Sequence, residues 1–191
     1  LNVCQSVQID YNSPQVQTAY GPIRGKPYPY STTGTAGQKQ VVAFIGVPYA
    51  RPPTGYDRFM PPRNPDPWTE QKDATNYRVK CPQVEDRFEY TPTEDIIESE
   101  DCLYLNIYTP VFPNQFQANL PVLVYFHGGE FKYGGKDFFK PDVILEAAMV
   151  DSPGVIIITV NYRLGVLGFI STDDINIPGN NGIRDQVQAL R

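Results

Sequence analysis

The sequence has a single histidine, His127, and contains no G-x-S-x-G pentapeptide. That pentapeptide forms the sharp turn that exposes a catalytic serine, and a Ser-His-acid triad also needs a histidine as its general base. Such a triad therefore cannot be completed within these 191 residues.

Basic residues are too few to favour a polyanionic partner. Lys and Arg number 16 against 21 Asp and Glu, which gives a net charge of -5, and the isoelectric point is near 4.9. This balance argues against nucleic acid and against an anionic membrane surface as partners. No apolar stretch approaches the roughly 18 to 20 residues of a transmembrane helix.

The sequence carries no direct mark of secretion. Residues 1–10 lack the basic and apolar blocks of a signal peptide, so we expect any such signal to have been removed or to lie outside this sequence. No N-x-[ST] glycosylation sequon occurs. Length and composition, with 41% hydrophobic residues, fit one globular domain.

Cysteines number three. Cys81 and Cys102 flank a polar, acidic segment that is typical of an exposed loop. A disulfide there would close a loop of about 20 residues and contribute roughly 3 kcal/mol. The alternative is three reduced thiols in a cytosolic protein. Cys4 is left over in either case, free or paired outside the chain.

Hydrophobic patterns divide the chain into short strands with proline-rich connections. The predicted strands cover residues 16–20, 41–45, 103–108, 122–126 and 155–160, and the predicted helices cover 142–150 and 182 to 191. Gly46 and Pro110 are expected to end the strands before them. The runs at 122–126 and 155–160 are typical of central strands buried on both faces. With a helix between them, they predict a parallel βαβ unit with a right-handed crossover.

The apolar strand at 122–126 ends abruptly in His127-Gly128-Gly129. A chain that turns sharply with its N–H groups free needs glycine there. Preorganised N–H groups beside a strand tip hold the developing oxyanion in acyl transfer, and an HGGG-type loop supplies them in esterases of the α/β-hydrolase fold. The segment therefore predicts part of an esterase-like site, without its nucleophile.

Further motifs occur in a fixed order along the chain. They are G-V-P-Y-A-R-P-P at 46–53 followed by Arg58-Phe59, S-E-D-C-L-Y-L-N-I-Y at 99–108, N-Y-R-L-G-V-L-G-F at 161–169, and G-N-N-G with D-Q at 179–186. This set resembles the type-B carboxylesterases, which include the cholinesterases and the neuroligin-like adhesion proteins. The resemblance spans residues 46–191, and earlier residues match only loosely.

The resemblance implies a fold and its extent. Residues 1–191 would be the N-terminal portion of an α/β-hydrolase fold, with a mostly parallel central sheet and a small antiparallel N-terminal sheet. It would be one incomplete domain, truncated before the nucleophile elbow, and its first partner would be the remaining C-terminal part of the same protein. Alone it is expected to be inactive. Neither a cofactor nor a metal ion is implied.

The resemblance also implies structural pairs, which are the disulfide Cys81–Cys102 and the ion pairs Arg58–Glu100 and Arg163–Asp185. The ion pairs are expected to be buried and structural rather than catalytic. The alternative is that these charges are exposed and solvated, in which case they contribute little to stability.

The oxyanion-hole loop would consist of Gly128, Gly129 and Glu130. The resemblance implies the backbone N–H groups of Gly129 and Glu130 as donors, with a third donor from the residue after the missing serine. His127 is interpreted as orienting this loop, because the family's general base comes from far downstream.

Glu130 departs from the family pattern, in which this position is usually Gly or Ala. At an effective dielectric constant near 20, a carboxylate about 4 Å from an oxyanion would slow the reaction nearly a thousandfold. Lys132 or Lys136 could offset that charge. The side chain could instead rotate away or be protonated.

Two function hypotheses follow. The first is a secreted or extracellular serine esterase acting on small-molecule carboxylic esters, of which this is the N-terminal part. The second is a catalytically silent ectodomain that binds a protein ligand, as neuroligin-like proteins do. The cholinesterases place a tryptophan in the segment between these cysteines, where it binds quaternary ammonium by cation–π contact. Here that segment has Phe88 and Tyr90 but no tryptophan, and the only tryptophan is Trp68. Choline esters are therefore disfavoured as substrates.

Overall fold

The computed structural model describes residues 10–29, 40–84, 96–111, 119–150, 152–172 and 177–191. Cys4, Phe88 and Tyr90 lie outside these described residues. The strands are β1 (Gln15–Gln17), β2 (Pro22–Arg24), β3 (Lys26–Pro27), β4 (Gln40–Pro48), β5 (Lys72–Asp73), β6 (Val79–Lys80), β7 (Ile97–Glu98), β8 (Tyr104–Val111), β9 (Val122–Phe126) and β10 (Ile156–Val160). The helices are α1 (Asp142–Val150), α2 (Gly165–Phe169) and α3 (Asn181–Ala189).

A five-stranded sheet, in the order β3-β4-β8-β10-β9, forms the centre of the described structure. The pairs β3–β4, β4–β8 and β8–β10 are antiparallel, and only β9–β10 is parallel. The prediction of a mostly parallel central sheet is therefore wrong for the described residues. The parallel pairing of the two strands around α1 is confirmed.

The directions of the strands follow from their connections. Parallel neighbours need a crossover of a dozen or more residues, usually with a helix. The link from β9 to β10 carries α1, whereas the link from β8 to β9 covers only residues 112–121. An apolar run predicts burial and is silent about direction, which is why the sequence overestimates the parallel share.

Strand β9 lies at the edge of this sheet, with a hydrogen-bonded neighbour on one side only among the described strands. Val122 and Leu123 are 49% and 41% exposed, whereas Ile157 and Val160 of β10 are fully buried. The expectation of a central strand buried on both faces is therefore correct for β10 and wrong for β9 within the described residues.

Strand β4 separates two hydrophobic cores. Alternate side chains of a strand point to opposite faces, so Val42 and Phe44 pack in one cluster while Val41 and Ala43 pack in the other. Helix α1 covers the second face and buries Leu145 there. Helix α1 has the predicted bounds, and no described helix is long and apolar enough to cross a membrane.

A smaller sheet, in the order β1-β2-β5, lies at the N-terminal end. Strands β1 and β2 are antiparallel, as predicted, but β5 joins parallel to β2. Strand β1 is shorter than predicted because the Thr18 hydroxyl accepts hydrogen bonds from the N–H groups of Tyr20 and Gly21 and closes a turn. The Trp68 indole donates to Pro22 O at 2.9 Å and so packs within this region.

Gly46 and Pro110 lie inside strands that they were expected to end. The register shifts between Ile45 and Val47, and Gly46 has φ +82, which is the geometry of a β-bulge. Its N–H donates to the Asn106 side-chain oxygen at 3.0 Å. Pro110 is tolerated because β10 pairs with β8 only as far as Tyr108, so a second neighbour does not need its missing N–H.

Helix α3 ends earlier than predicted. It was expected to continue to residue 191, but it ends at Ala189. The Leu190 N–H donates to Val187 O at 3.3 Å, which tightens the last turn and terminates the helix.

Gly46→Ala should destabilise the full-length protein by about 2 to 4 kcal/mol. A Cβ atom there would lie 2.5 Å from Tyr77 Cβ and 2.7 Å from Tyr77 O, at a φ of +82. Gly55→Ala is the matched control, because φ is +56 and no atom lies within 4 Å, so only the backbone cost of about 1 kcal/mol is expected. Urea denaturation measures both, and equal losses would contradict the close packing at the bulge.

Candidate functional site

The candidate site lies where β9 and β10 end. Because the two strands are parallel, their carboxyl ends share one edge of the sheet. The residues that follow β9, 127–136, are called the strand-end loop here. The Tyr162 hydroxyl, just after β10, donates to His127 O at 2.7 Å, and the two rings stack with centroids 4.4 Å apart.

The tip of the strand-end loop is a tight turn with positive φ at three successive residues, +110 at Gly129, +53 at Glu130 and +59 at Phe131. The N–H groups of Lys132 and Tyr133 donate to Gly129 O at 2.8 and 3.2 Å. Within the described part of the chain, the N–H groups of Gly129 and Glu130 donate to no other residue. Positive φ at non-glycine residues is uncommon and clusters at functional sites. Two free donors on a fixed turn can hold a negatively charged oxygen.

The Glu130 side chain points into solvent. It is 72% exposed, and its carboxylate accepts from the Lys132 ammonium at 2.9 Å. That hydrogen bond lowers the pKa of Glu130. Of the possibilities left open by the sequence, the structure therefore has a solvated, ionised Glu130 that is paired with Lys132.

His127 is buried beneath the loop. Burial lowers its pKa to about 4, so the ring is neutral at neutral pH. Nδ1 lies 2.9 Å from Gly128 O, and because a carbonyl can only accept, Nδ1 carries the proton. This ring is engaged with its own loop, in keeping with an orienting role.

A buried ion pair anchors the far end of the loop. Lys136 Nζ donates to Asp137 at 2.7 Å and to Tyr77 O at 3.2 Å. Asp137 also accepts from the Asn106 side chain at 2.9 Å. Burial lowers the pKa of Lys136, and Asp137 opposes that shift. Lys136 is therefore committed to Asp137 and does not neutralise Glu130.

Asn161, directly after β10, joins the loop to three other segments. Its side-chain oxygen accepts from the Lys136 N–H at 2.7 Å, and its NH₂ group donates to Val79 O at 2.7 Å and Cys102 O at 3.1 Å. Its own carbonyl accepts from the Tyr49 hydroxyl at 2.8 Å. The sequence did carry a signal for this linking role, because Asn161 is a polar residue at the end of a buried strand. Nothing in the sequence distinguishes Lys136 from an ordinary surface lysine.

Cys81 and Cys102 form a disulfide, which confirms the pairing implied by the resemblance. Both residues are buried in the first hydrophobic core. The disulfide lies beside the candidate site, because Asn161 binds both the strand-end loop and Cys102.

The two ion pairs differ in burial. Arg163 and Asp185 are buried and share two side-chain hydrogen bonds of 2.8 and 2.7 Å, and Arg163 also donates to the carbonyls of Arg58 and Met60. Burial raises the pKa of Asp185, and the hydrogen bonds from Arg163 oppose the shift.

The second pair joins Arg58 and Glu100 at 2.6 Å, with 42% and 29% of the side chains exposed. Its expected burial is therefore wrong. The family pattern places these two charges together, but it does not determine how much water reaches them. Neither ion pair belongs to the strand-end loop.

Comparison with known proteins gives consistent results. The model of the carboxylesterase family matches residues 12–191. The chain is 42% identical over 188 residues to the pyrethroid hydrolase Ces2a of Mus musculus, covering 95% of this chain and 32% of that protein. It is 37% identical over 210 residues to neuroligin-2 of Mus musculus, covering 93% and 24%. The crystal structure of juvenile hormone esterase from Manduca sexta superposes with a TM-score of 0.79 at 36% identity, covering 93% and 32%. The chain thus spans about a third or less of the length of the relatives it matches.

Asp185→Asn should destabilise the full-length protein by roughly 3 to 5 kcal/mol, because Arg163 would keep a buried charge without a partner. Glu100→Gln is the matched control at the exposed pair and should have a much smaller effect. Urea denaturation compares the two variants. A similar decrease in the free energy of unfolding for both variants would mean that burial does not determine how much these ion pairs stabilise the protein.

His127→Asn should change the pH dependence of stability. The folded-state pKa of about 4 lies below the unfolded value of about 6.5. The stabilisation from neutral His127 is therefore present above pH 6.5 and is lost as the pH falls towards 4. Between pH 6.5 and 5, wild type should lose about 1.5 kcal/mol more than the variant. Urea denaturation of both proteins at a series of pH values measures this difference. If the free energy of unfolding changed with pH equally in wild type and variant, burial would not affect the titration of His127.

Proposed function

The chain belongs to the carboxylesterase family, and from that premise we propose that it is the N-terminal part of a serine carboxylic-ester hydrolase. Its contribution is the oxyanion-hole loop formed by Gly128, Gly129 and Glu130. The observation that carries this proposal is a pair of N–H groups, on Gly129 and Glu130, that donate to no other described residue and lie at the tip of a loop whose base is buried.

The proposed chemistry is acyl transfer. A serine hydroxyl attacks the ester carbonyl, and the carbonyl oxygen becomes an oxyanion that preorganised N–H donors stabilise. Gly129 and Glu130 supply two donors from the backbone, so the side chain at position 130 does not remove the hydrogen bond. The serine, the third donor, the general base and the acid come from outside these 191 residues. We therefore expect the isolated chain to be inactive.

Other features support a larger protein in an oxidising compartment. The exposed apolar residues Val122 and Leu123 lie on the open edge of β9, where further structure could pack. The disulfide Cys81–Cys102 favours secretion or an extracellular location. The proposed substrates are small-molecule carboxylic esters.

The second candidate is a catalytically silent ectodomain that binds a protein ligand. The identity to neuroligin-2 and the unusual Glu130 favour it. The sequence that follows Arg191 in the complete protein separates the two candidates. A G-x-S-x-G pentapeptide supports the esterase, and a replaced serine supports the silent domain.

The test of the proposed function is hydrolysis of a p-nitrophenyl ester by the full-length protein. Gly129→Ala should lower kcat by about 100- to 1,000-fold, because a Cβ there would lie 2.0 Å from Tyr133 O and would displace the turn. Gly55→Ala, in open space on a distant turn, should leave kcat unchanged. Absence of turnover by wild type, or full activity of Gly129→Ala, would contradict the proposal.

Lys132→Met should lower kcat a few-fold, because the ionised Glu130 would then lie near the oxyanion without its partner. Solvent around both side chains limits the effect to that size. Glu130→Gln should leave kcat unchanged or raise it a few-fold, and adding it to Lys132→Met should restore the rate. Steady-state kinetics at neutral pH measure all three variants. If kcat stayed reduced in the double variant, the electrostatic explanation would be contradicted.

A further inference from the structure

Gln83 lies two residues after Cys81, and its side-chain amide pairs with the backbone of the strand-end loop. The Gly134 N–H donates to Gln83 Oε1 at 2.8 Å, and Gln83 Nε2 donates to Gly134 O at 2.9 Å. The same Nε2 donates to Cys81 O at 2.9 Å. One amide therefore satisfies both backbone groups of Gly134 and fixes itself to the disulfide.

Gly134 connects the Gln83 side chain to the start of the strand-end loop. It is buried, and a Cβ atom there would lie 2.2 Å from His127 Nδ1 and 2.7 Å from Gly128 O. Its backbone thus packs directly against the start of the loop. Any shift of Gly134 would move the residues that precede the free N–H groups of Gly129 and Glu130.

The same segment makes a second connection to the loop. The Val84 N–H donates to Lys132 O at 3.4 Å. Lys132 belongs to the turn, because its own N–H donates to Gly129 O at 2.8 Å. Residues 81–84 therefore contact the loop both at its base and at its tip, and the disulfide fixes the start of this segment.

We propose that Gln83 is a positioning residue for the oxyanion-hole loop. Its amide holds Gly134, and through Gly134 it holds the start of the loop, so that the N–H groups of Gly129 and Glu130 keep a fixed direction. The inference rests on the proposed esterase function, and Gln83 itself touches neither substrate nor reacting atoms. Catalysis needs donors held in place before the oxyanion forms, so loss of this contact should act on kcat.

The test compares two Gln83 variants with a matched control in the full-length protein. Gln83→Met has similar length and no polar groups, whereas Gln83→Asn keeps the amide on a side chain one methylene shorter. Both should lower kcat for a p-nitrophenyl ester about 10- to 100-fold, with KM changed less than about threefold. Gln71→Met is the control, because Gln71 is exposed and, among the described residues, its side chain donates to the Gln15 side chain alone. It should leave both constants unchanged.

Hydrogen exchange gives a readout that does not depend on activity. The N–H groups of Lys132 and Tyr133, which donate to Gly129 O within the turn, should exchange at least about tenfold faster in both Gln83 variants, while β4 and β8 exchange as in wild type. Faster exchange throughout the chain would mean a general structural role and would overturn the inference. Unchanged exchange at Lys132 and Tyr133 together with unchanged kcat would also overturn it.

The two proposals can fail separately. If the wild-type protein hydrolyses no ester, the proposed function fails and exchange alone decides the role of Gln83. A selective increase in exchange at Lys132 and Tyr133 would then support a loop held by Gln83. If wild type is active and the Gln83 variants keep full kcat, the positioning role is wrong and the esterase proposal stands.

Discussion

The side-chain amide of Asn161 is the interaction on which the geometry of the site depends most. It joins the strand-end loop at Lys136, the short strand β6 at Val79 and the disulfide at Cys102, with three hydrogen bonds inside the protein. No two of these three segments pair with each other as strands of a sheet. A buried amide that lost any one of the three would carry an unsatisfied polar group, which costs about 1 to 3 kcal/mol. The loop is therefore fixed by polar contacts with other segments rather than by secondary structure.

This arrangement explains how the loop combines a rigid base with an exposed tip. Gly134 and Lys136 are buried and bound on both sides, whereas Glu130 and Lys132 are surrounded by solvent. In the proposed function, a fixed base would keep the N–H groups of Gly129 and Glu130 oriented before the oxyanion forms. Glu130 is solvated and paired with Lys132, and solvent screens such a charge.

Much of the fold could be predicted from local patterns. The apolar run at Val122–Phe126 and the periodic segment Asp142–Val150 gave the correct bounds, because both signals depend on neighbouring residues. The antiparallel direction of β8 against β4 and β10 and the bulge at Gly46 could not be predicted, since both depend on which strand lies alongside. The roles of Gln83 and Lys136 arise from contacts across about 50 residues or more, and a single sequence carries no pattern for such pairs. The Cys81–Cys102 disulfide could be predicted with its pairing only because the family resemblance supplied it.

The most direct test of the account is a crystal structure of the full-length protein with a phosphonate ester bound covalently at the active serine. The phosphonyl oxygen marks the position of the oxyanion. We expect this oxygen to lie about 2.7 to 3.1 Å from the backbone nitrogens of Gly129 and Glu130, with Gln83 still bound to Gly134. An adduct whose oxygen is held by other groups, or a protein that forms no adduct, would contradict it.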